Sequence, residues 1–342
     1  MNKGVNVAVY GEVMQKFSPS TTGKRMSQAD LIVREPAGAE FNVASALSRT
    51  AHFSTSIISA IPDNMDGDWI EEKILKEGIN IDYLKRDTSP DARLGNYEFE
   101  EGIYPRSSKI NYDRNNSSFT KFNHCDYNVD FTKFSLFHTT GISLAINPMT
   151  TLGLIRAAHD KGCLVSFDVN YRANLWNKNT AAERIERILP YVDILFISRE
   201  TLQRTFSCAD TSLKGFLVCW AKTHHISFIA STDRTCVDAS TQKFTSSVME
   251  RETFQTYTEA PYIITDLRGR IGSGDAYIAG FLMGLLKNNN LSAKKAMEFG
   301  NAATALKCSC IGDILIASEQ ELLEVINKHN STVKSEFENL KR

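Results

Sequence analysis

Several features that would classify this sequence at once are missing from its 342 residues. The seven cysteines include no CxxC pair, which argues against a disulfide framework or a structural zinc site and predicts free, buried thiols. No run of about 18 apolar residues occurs and no secretory signal is recognisable, so no membrane span or export is expected. A formal charge of −1 provides no basic field for nucleic acid. The sequence therefore predicts a cytoplasmic protein without membrane or nucleic-acid partners.

Motifs for two common nucleotide-binding folds and for metal sites are also absent. No GxxxxGK[ST] occurs, which excludes a P-loop, and only Gly11-Glu12-Val13 follows the first predicted strand instead of GxGxxG. A nicotinamide-dependent dehydrogenase is therefore disfavoured, although it remains an alternative. His224 and His225 match no zinc spacing, and the aspartates of PDNMDGDW (62–69) are out of register for a calcium loop. We interpret the first as a surface pair and the second as a turn before a helix.

What the sequence does contain is an alternation of apolar runs and helical patterns. Short apolar runs bounded by polar residues or glycine predict buried strands, and apolar positions three and four apart predict helices. Strands are predicted at 5–10, 56–61, 134–141, 163–170, 192–198, 226–232 and 262–265, and helices at 37–49, 68–79, 152–162, 181–190, 276–286 and 294–307. This alternation implies βαβ units, so the predicted fold is α/β with a mostly parallel central sheet and helices on both faces.

Residues 92–120 have a different pattern, in which apolar and polar residues alternate. RLGNYEFEEG and SSKINYDR show this period of two, which indicates half-exposed antiparallel strands. We predict a small β-sheet lid made from these residues and from roughly 12–35, inserted in an α/β domain that spans 1–330 and is followed by a charged tail at 331–342. Exposed strand edges need a cover, and the lid of a second subunit would supply one. A homodimer through the lid is therefore predicted.

The segment RGRIGSGDAYIAGFLMGLL (268–286) places a glycine-rich turn directly before an apolar helix. The N–H groups at a helix start are unpaired and lie at the positive end of the helix dipole, so Gly272, Ser273 and Gly274 can bind an anion such as a phosphoryl group. Asp275 is either a helix N-cap or a general base that accepts a hydroxyl proton. Arg172, Ser198 and Ser231 follow or end other predicted strands. Carboxyl ends of parallel strands share one edge, where ligands bind.

Six segments in order along the chain resemble the ribokinase/PfkB family of carbohydrate kinases, most closely its 2-keto-3-deoxygluconate kinase branch. They are GEVM with SQAD (11–30), AGAEFNVASALSR (37–49), LGNYEFEEG with PRSSKINYDRNNSSF (94–119), SFDVNYRANLW (166–176), RIGSGDAYIAGFLMGLL (270–286) and ALKCSCIGD (305–313). The resemblance runs from about residue 5 to 326. It implies a ribokinase-like fold and phosphorylation of the terminal hydroxyl of a sugar acid by ATP with Mg²⁺.

The resemblance also implies roles for particular residues. Asp275 would be the catalytic base, with the amides of Gly272, Ser273 and Gly274 as the anion hole. The implied substrate contacts are Gly38, Tyr97, Tyr112, Arg114, Arg172 and Asp313. The candidates for nucleotide binding are Ser198, Ser231, Gly272, Gly274 and Asn301, the last beside the adenine. A sugar acid carries a carboxylate, and Arg114 or Arg172 could pair with it through two parallel hydrogen bonds. The metal ligands stay unassigned.

The sequence departs from the family pattern at four places. Ala37 replaces the first of two glycines, and Gly269 stands where the family has an aspartate. The family's Asn-x-x-Glu is reduced to residues 198–201, SRET, and the nucleotide loop ASTDRTCVDAS (230–240) contains no glycine. The last three changes concern metal and nucleotide binding. Two alternatives are therefore kept: a fructokinase or other neutral-sugar kinase of the same family, and a degenerate member that binds a sugar without turnover.

Overall fold

The computed structural model describes residues 4–103, 105–206, 213–238, 240–287 and 291–340. The strands are β1 (Asn6–Tyr10), β2 (Met14–Pro19), β3 (Ile32–Ala37), β4 (Ser54–Pro62), β5 (Asn80–Asp87), β6 (Asn96–Glu100), β7 (Lys109–Asp113), β8 (Leu136–Thr140), β9 (Leu164–Asp168), β10 (Ile194–Ser198), β11 (Phe228–Cys236), β12 (Gln242–Glu250), β13 (Gln255–Thr258) and β14 (Tyr262–Ile264). The α-helices are α1 (Ala39–Arg49), α2 (Met65–Lys76), α3 (His124–Tyr127), α4 (Gly141–Ile146), α5 (Pro148–Asp160), α6 (Lys178–Ile188), α7 (Arg199–Thr205), α8 (Leu213–His224), α9 (Ser273–Leu286), α10 (Ala293–Cys308) and α11 (Glu319–Leu340).

The central sheet has ten strands in the described part of the chain. Their order is β13-β12-β11-β10-β9-β8-β1-β4-β5, with β14 paired to β12. All neighbours from β11 to β5 are parallel, whereas β12 runs antiparallel to β11 and to both β13 and β14. Strand β1 lies between β4 and β8. The chain passes from β1 to β4 on one side of β1 and later returns to β8 on its other side. The strand order therefore reverses beside β1, where open α/β sheets bind their ligands at the carboxyl edge.

Helices cover both faces of this sheet and enclose two separate apolar cores. One core contains side chains of α1, α2, α9, α10 and α11, and the other contains side chains of α4 to α8. Every residue of α9 from Ala276 to Leu286 is buried, and the helix packs along α10. Because its sides are so thoroughly enclosed, the position of its first turn is fixed by the core.

A second sheet, with four strands in the described part of the chain in the order β3-β2-β6-β7, contains the residues of the predicted lid and is called the lid below. Strand β2 is antiparallel to β3 but parallel to β6, and β6 and β7 form an antiparallel pair. The β2–β3 hairpin is inserted between β1 and α1, so both of its ends lie at the carboxyl edge of the central sheet. Strand β11 also extends beyond its neighbour at this edge. Its last pair with β10 is Thr232 with Ser198, and among the described strands residues 233–236 pair only with β12.

The predicted α/β fold, the mostly parallel sheet and the small separate sheet are confirmed. The interpretation of PDNMDGDW as a turn before a helix is correct only for its first residues, since Asn64 caps α2, which begins at Met65. Residues of the predicted tail lie in α11 as far as Leu340. No helix in the described ranges is long and apolar enough to cross a bilayer.

The prediction for the cysteines is only partly correct. All described cysteines are free, and Cys163 and Cys308 are buried. Burial was wrongly predicted for Cys125, Cys219 and Cys236, which are exposed because they lie at helix and strand surfaces. Cys208 lies outside the described residues.

Candidate active site

The turn before α9 leaves several backbone N–H groups without partners. Gly272 is the N-cap residue, with a left-handed φ of 78°, and as a glycine it has no side chain that could cap this helix end. Within the described residues the N–H groups of Gly272, Gly274 and Asp275 donate to no acceptor, whereas that of Ser273 donates to the Arg270 carbonyl across 3.3 Å. Two of the three predicted amides are therefore unpaired, and Asp275 adds another. An anion at this helix end would be bound by these donors and by the helix dipole.

Asp275 lies inside the first turn of α9, so it is not the N-cap. Its Oδ2 accepts a hydrogen bond of 2.8 Å from Asn42 Nδ2. Asn42 belongs to α1, which packs against α9. Asp275 is half-buried, so the carboxyl group keeps an accessible fraction while one oxygen is held in place. A carboxylate that is both oriented and reachable is suited to accept a proton from a hydroxyl.

Two carboxyl groups with raised pKa values lie at this edge of the sheet. Burial, together with the nearby Asp168, raises the pKa of Asp275 to about 7. Burial also raises the pKa of Asp168, at the end of β9, to about 7. Arg172 is exposed just beyond β9, and its charge lowers the pKa of both groups. A base with a pKa near the working pH is effective because it is ionised yet still binds a proton.

This environment predicts how turnover depends on pH. Asp275 must be ionised to accept a proton, so kcat/KM is expected to rise with pH and to level off above about 7. Asp168→Asn removes a neighbouring negative charge that disfavours this ionisation, so the rising limb should move to lower pH. Profiles of kcat/KM against pH for both proteins measure the shift. If kcat/KM rises over the same pH range in both proteins, a group other than Asp275 controls that rise.

The lid and the loop after α10 bring Tyr97 and Asp313 together. The Tyr97 hydroxyl donates to Asp313 Oδ2, and the Lys16 ammonium binds Oδ1 at 2.8 Å. Lys16 is buried and also lies 3.2 Å from Glu35. Asp313 is thus held by two groups of the lid. A substrate hydroxyl that binds Asp313 would join this network, which links substrate binding to the position of the lid.

Tyr112 and Arg114 lie at the end of β7, beside Tyr97. The ring centroids of Tyr97 and Tyr112 are 5.2 Å apart, and the Arg114 guanidinium lies 4.9 Å from the Tyr112 centroid. Arg114 Nη1 also binds the buried Glu12 carboxylate at 3.1 Å. Because the Glu12 carboxylate already neutralises Arg114, Arg172 is the better candidate for binding a substrate carboxylate. In the described part of the chain, Arg172 forms no ion pair.

Gly38 fixes the start of α1 close to the lid. It is the N-cap residue, with φ 143°, and a Cβ at this position would overlap the carbonyl oxygen of Glu12. The first turn of α1 then carries Glu40, whose buried carboxylate accepts hydrogen bonds from Thr140 and Ser143. These bonds anchor the helix that holds Asn42 against α9.

Two of the predicted nucleotide contacts, Ser198 and Ser231, belong to neighbouring strands of the central sheet. Ser198 caps α7, and its Oγ accepts from the Thr201 N–H at 3.1 Å. Ser231 is buried in β11, and its hydroxyl has no hydrogen-bond partner among the described residues. The structure therefore places both serines at the carboxyl edge but not on an open surface.

Asn301 is the predicted site residue that the structure places least favourably. It is fully buried in α10. Its Nδ2 donates to Glu259 at 2.6 Å, and its Oδ1 accepts from Ser246 at 2.9 Å. The predicted contact with adenine is disfavoured, because both ends of the side-chain amide are used inside the protein.

A cavity of about 1190 Å³ lies between the lid and the turn. Lys16, Glu35 and Phe99 of the lid form part of its wall, and Gly269 to Ile271 form another part. Small-molecule sites usually have about 300–1,000 Å³, so this space is large enough for a sugar together with part of a nucleotide. Asp275 is not in the wall itself but follows Ile271 closely in the chain.

Several residues near the turn were not predicted from the sequence. Asn42 holds Asp275, and Lys16 holds Asp313. Arg234 Nη2 donates to the Ser273 hydroxyl at 2.6 Å, and the buried Lys307 donates to the Gly269 carbonyl at 3.2 Å; neither contact had been expected. One signal was present: lysine is unusual at a position that a helical pattern assigns to the buried face, as at 307.

Comparisons with known proteins find a matching family profile, related sequences and related solved structures. The sequence profile described as pfkB family carbohydrate kinase matches residues 5–321. The 2-dehydro-3-deoxygalactonokinase of Haloferax volcanii is 28% identical over 324 residues, which cover 94% of this chain and 96% of that protein. Fructokinase-2 of Oryza sativa is 23% identical, and 93% of each protein is covered. The crystal structure of 2-dehydro-3-deoxygluconokinase from Thermotoga maritima matches with a TM-score of 0.85 at 27% identity, covering 94% of this chain and 99% of that one.

Proposed function

The chain belongs to the pfkB family and is a carbohydrate kinase, and on this basis we propose that it transfers the γ-phosphoryl group of ATP to the terminal hydroxyl of a sugar acid, 2-keto-3-deoxygluconate, to give the 6-phosphate. The observation that carries the proposal is the half-buried Asp275 beside the unpaired N–H groups of the turn. Two of the relatives are named for 2-dehydro-3-deoxy sugar acids, which supports the substrate class. Family membership removes the basis for a dehydrogenase.

The reaction follows from the chemistry of these groups. Asp275 accepts the proton of the sugar hydroxyl while its oxygen attacks the γ-phosphorus and the bond to the leaving ADP breaks. The N–H groups of Gly272 and Gly274 stabilise the negative charge on the phosphoryl oxygens. The lid covers the sugar and excludes water, which would otherwise accept the phosphoryl group.

The residues near the turn do not form a cage of protein ligands for Mg²⁺. Such an ion needs oxygen ligands, above all carboxylates. Within the described ranges, no three His, Cys, Asp or Glu side chains lie together in a way that could hold a metal. Gly269 has no carboxylate, and Glu200 pairs with Arg204 at 2.7 Å. The predicted use of Mg²⁺ is kept only for an ion that arrives on the phosphates of ATP.

Arg172 is proposed to bind the carboxylate of the sugar acid. It is exposed at the carboxyl edge, and its charge acts on Asp275. A guanidinium group can bind a carboxylate through two parallel hydrogen bonds, which a neutral hexose cannot offer. This residue therefore separates the sugar-acid kinase from the neutral-sugar alternative.

The test is an ADP-release assay with 2-keto-3-deoxygluconate, 2-keto-3-deoxygalactonate and fructose, on the wild type and on Arg172→Ala. We expect the wild type to prefer the sugar acids, and the variant to lose about tenfold or more in kcat/KM for them, with little change for fructose. The assay is run at about pH 8, since loss of Arg172 also raises the pKa of Asp275. A preference for fructose would support the neutral-sugar kinase. Binding without ADP release would support a non-catalytic member.

A homodimer through the lid is also proposed. The lid carries exposed apolar side chains outside the wall of the cavity, namely Leu31, Ile32 and Ile103. A second lid would cover these residues together with the strand edges. Light scattering should give about twice the chain mass of 38.3 kDa. A mass equal to one chain would contradict the proposal.

A further inference from the structure

Three cationic side chains surround the turn before α9 without a carboxylate partner. Arg234 donates to the Ser273 hydroxyl at 2.6 Å, and Lys307 donates to the Gly269 carbonyl at 3.2 Å. Arg270 lies in the turn itself, and its positive charge lowers the pKa of Arg234. Among the residues that the structure describes, none of these three cations forms an ion pair. Uncompensated positive charge therefore accumulates where the N–H groups are also unpaired.

Of the three cations, Lys307 is the one whose burial costs the folded state the most free energy. Its side chain is fully buried, and burial lowers its pKa. The negative charge of Asp313 raises the pKa of Lys307, but the Asp313 carboxylate already binds Lys16 at 2.8 Å. A buried ammonium group with one carbonyl acceptor lacks the compensation that buried charges normally have. Such a cost at the edge of a ligand site is typical of a group that serves binding rather than folding.

Arg234 is placed to contact a ligand directly. It lies in the part of β11 that extends past β10, and it is exposed, although its head group is partly enclosed beside Ser273. The neighbouring Cys308 does not offset its charge, because burial raises the pKa of that thiol and keeps it neutral. The guanidinium group has further N–H donors for phosphate oxygens.

We propose that Arg234 binds the phosphate groups of the nucleotide at this turn and that Lys307 supports the same site from inside the protein. These side-chain cations would supply the positive charge that a protein-held divalent ion would otherwise provide. Lys307 acts as a positioning residue, through the Gly269 carbonyl and its buried charge. The inference rests on the proposed function only in that a nucleotide phosphate is the anion bound. It accounts for two departures together, the missing carboxylate at 269 and the arginine in a loop without glycine.

Calorimetric titration with ADP alone, in EDTA and then in Mg²⁺, tests the role of Arg234 without any sugar. We expect the wild type to bind ADP in EDTA within about tenfold of its affinity in Mg²⁺, and Arg234→Ala to bind about tenfold or more weakly in EDTA. Arg251→Ala is the matched control, since its backbone pairs with Ser227 at the opposite end of β11. Binding that requires Mg²⁺, or equal effects of the two substitutions, would overturn the proposal.

Lys307→Met separates a binding role from a structural one. Methionine has a similar length without the charge, so we expect an unchanged or higher Tm together with a severalfold weaker affinity for ADP in EDTA. A lower Tm with unchanged ADP affinity would show that Lys307 only supports the fold. If the expected ADP pattern holds but no sugar is phosphorylated, the proposed function fails and the phosphate site stands.

Discussion

Asp275→Asn is expected to lower kcat by a factor on the order of 10² or more, with little change in the affinity for sugar or ADP. The amide cannot accept the hydroxyl proton, yet its oxygen can still accept the hydrogen bond from Asn42 Nδ2. The geometry of the site is thereby preserved while the base is removed. Steady-state kinetics with the best substrate of the panel, together with a sugar titration, measure the two effects separately.

Thermal unfolding supplies the control for this variant. The pKa of Asp275 is raised in the folded state, so its ionisation destabilises the fold as the pH rises through about 7. The amide does not ionise, and the variant should therefore unfold at an equal or higher temperature than the wild type at about pH 8. Asp82→Asn removes an exposed carboxylate from β5 and should leave kcat unchanged. Near-normal turnover of Asp275→Asn would exclude this residue as the base.

Gly272→Ala is expected to disrupt the turn that binds the phosphoryl group. A Cβ at this position would overlap the carbonyl oxygen of Asp313, and the φ of 78° is unfavourable for alanine. The backbone must move, which displaces both the unpaired N–H groups and Asp313. We expect kcat/KM to fall by a factor on the order of 10² or more, with a loss of about 1–3 kcal/mol in the free energy of unfolding.

Gly274→Ala is the matched comparison for stability. Among the described residues, and apart from its chain neighbours and the backbone of its own helix, no atom lies within 4 Å of the position that a Cβ would take at Gly274. The residue belongs to the helix. Alanine is favoured over glycine in a helix by about 1 kcal/mol, so this variant should be as stable as the wild type or more stable. Chemical denaturation of both variants measures the difference. Equal stability of the two would show that the turn tolerates a side chain at 272.

The central strands could be predicted because each is a buried apolar run that stands alone in the sequence. Strands β5 and β12 were missed for a physical reason. NIDYLKRD of β5 is largely polar because this strand lies at the sheet edge and is half-exposed. QKFTSSVME of β12 contains few large apolar residues, and it becomes a strand by pairing with β11 along its full length. Pairing between distant segments overrides weak local preference.

The candidate site could be predicted where it is continuous in sequence, as in the turn from Gly272 to Asp275. It could not be predicted where it depends on packing. Asn42 reaches Asp275 only because α1 packs against α9, and the two residues are 233 positions apart. Lys307 lies on the buried face of its helical pattern, but a lysine is normally assigned to the exposed face, so its burial was not expected. The burial of Asn301 could not be predicted either, because nothing in the sequence marks its partner Glu259.

The part of β11 that extends past β10 has a thermodynamic consequence. A glycine-rich loop samples many conformations and loses them when a nucleotide binds. Residues 233–236 are instead held by hydrogen bonds to β12 before any ligand arrives. A preorganised ribbon loses less conformational entropy on association. Recognition at this edge should therefore depend on how well a nucleotide matches a fixed shape, with little adjustment by the protein.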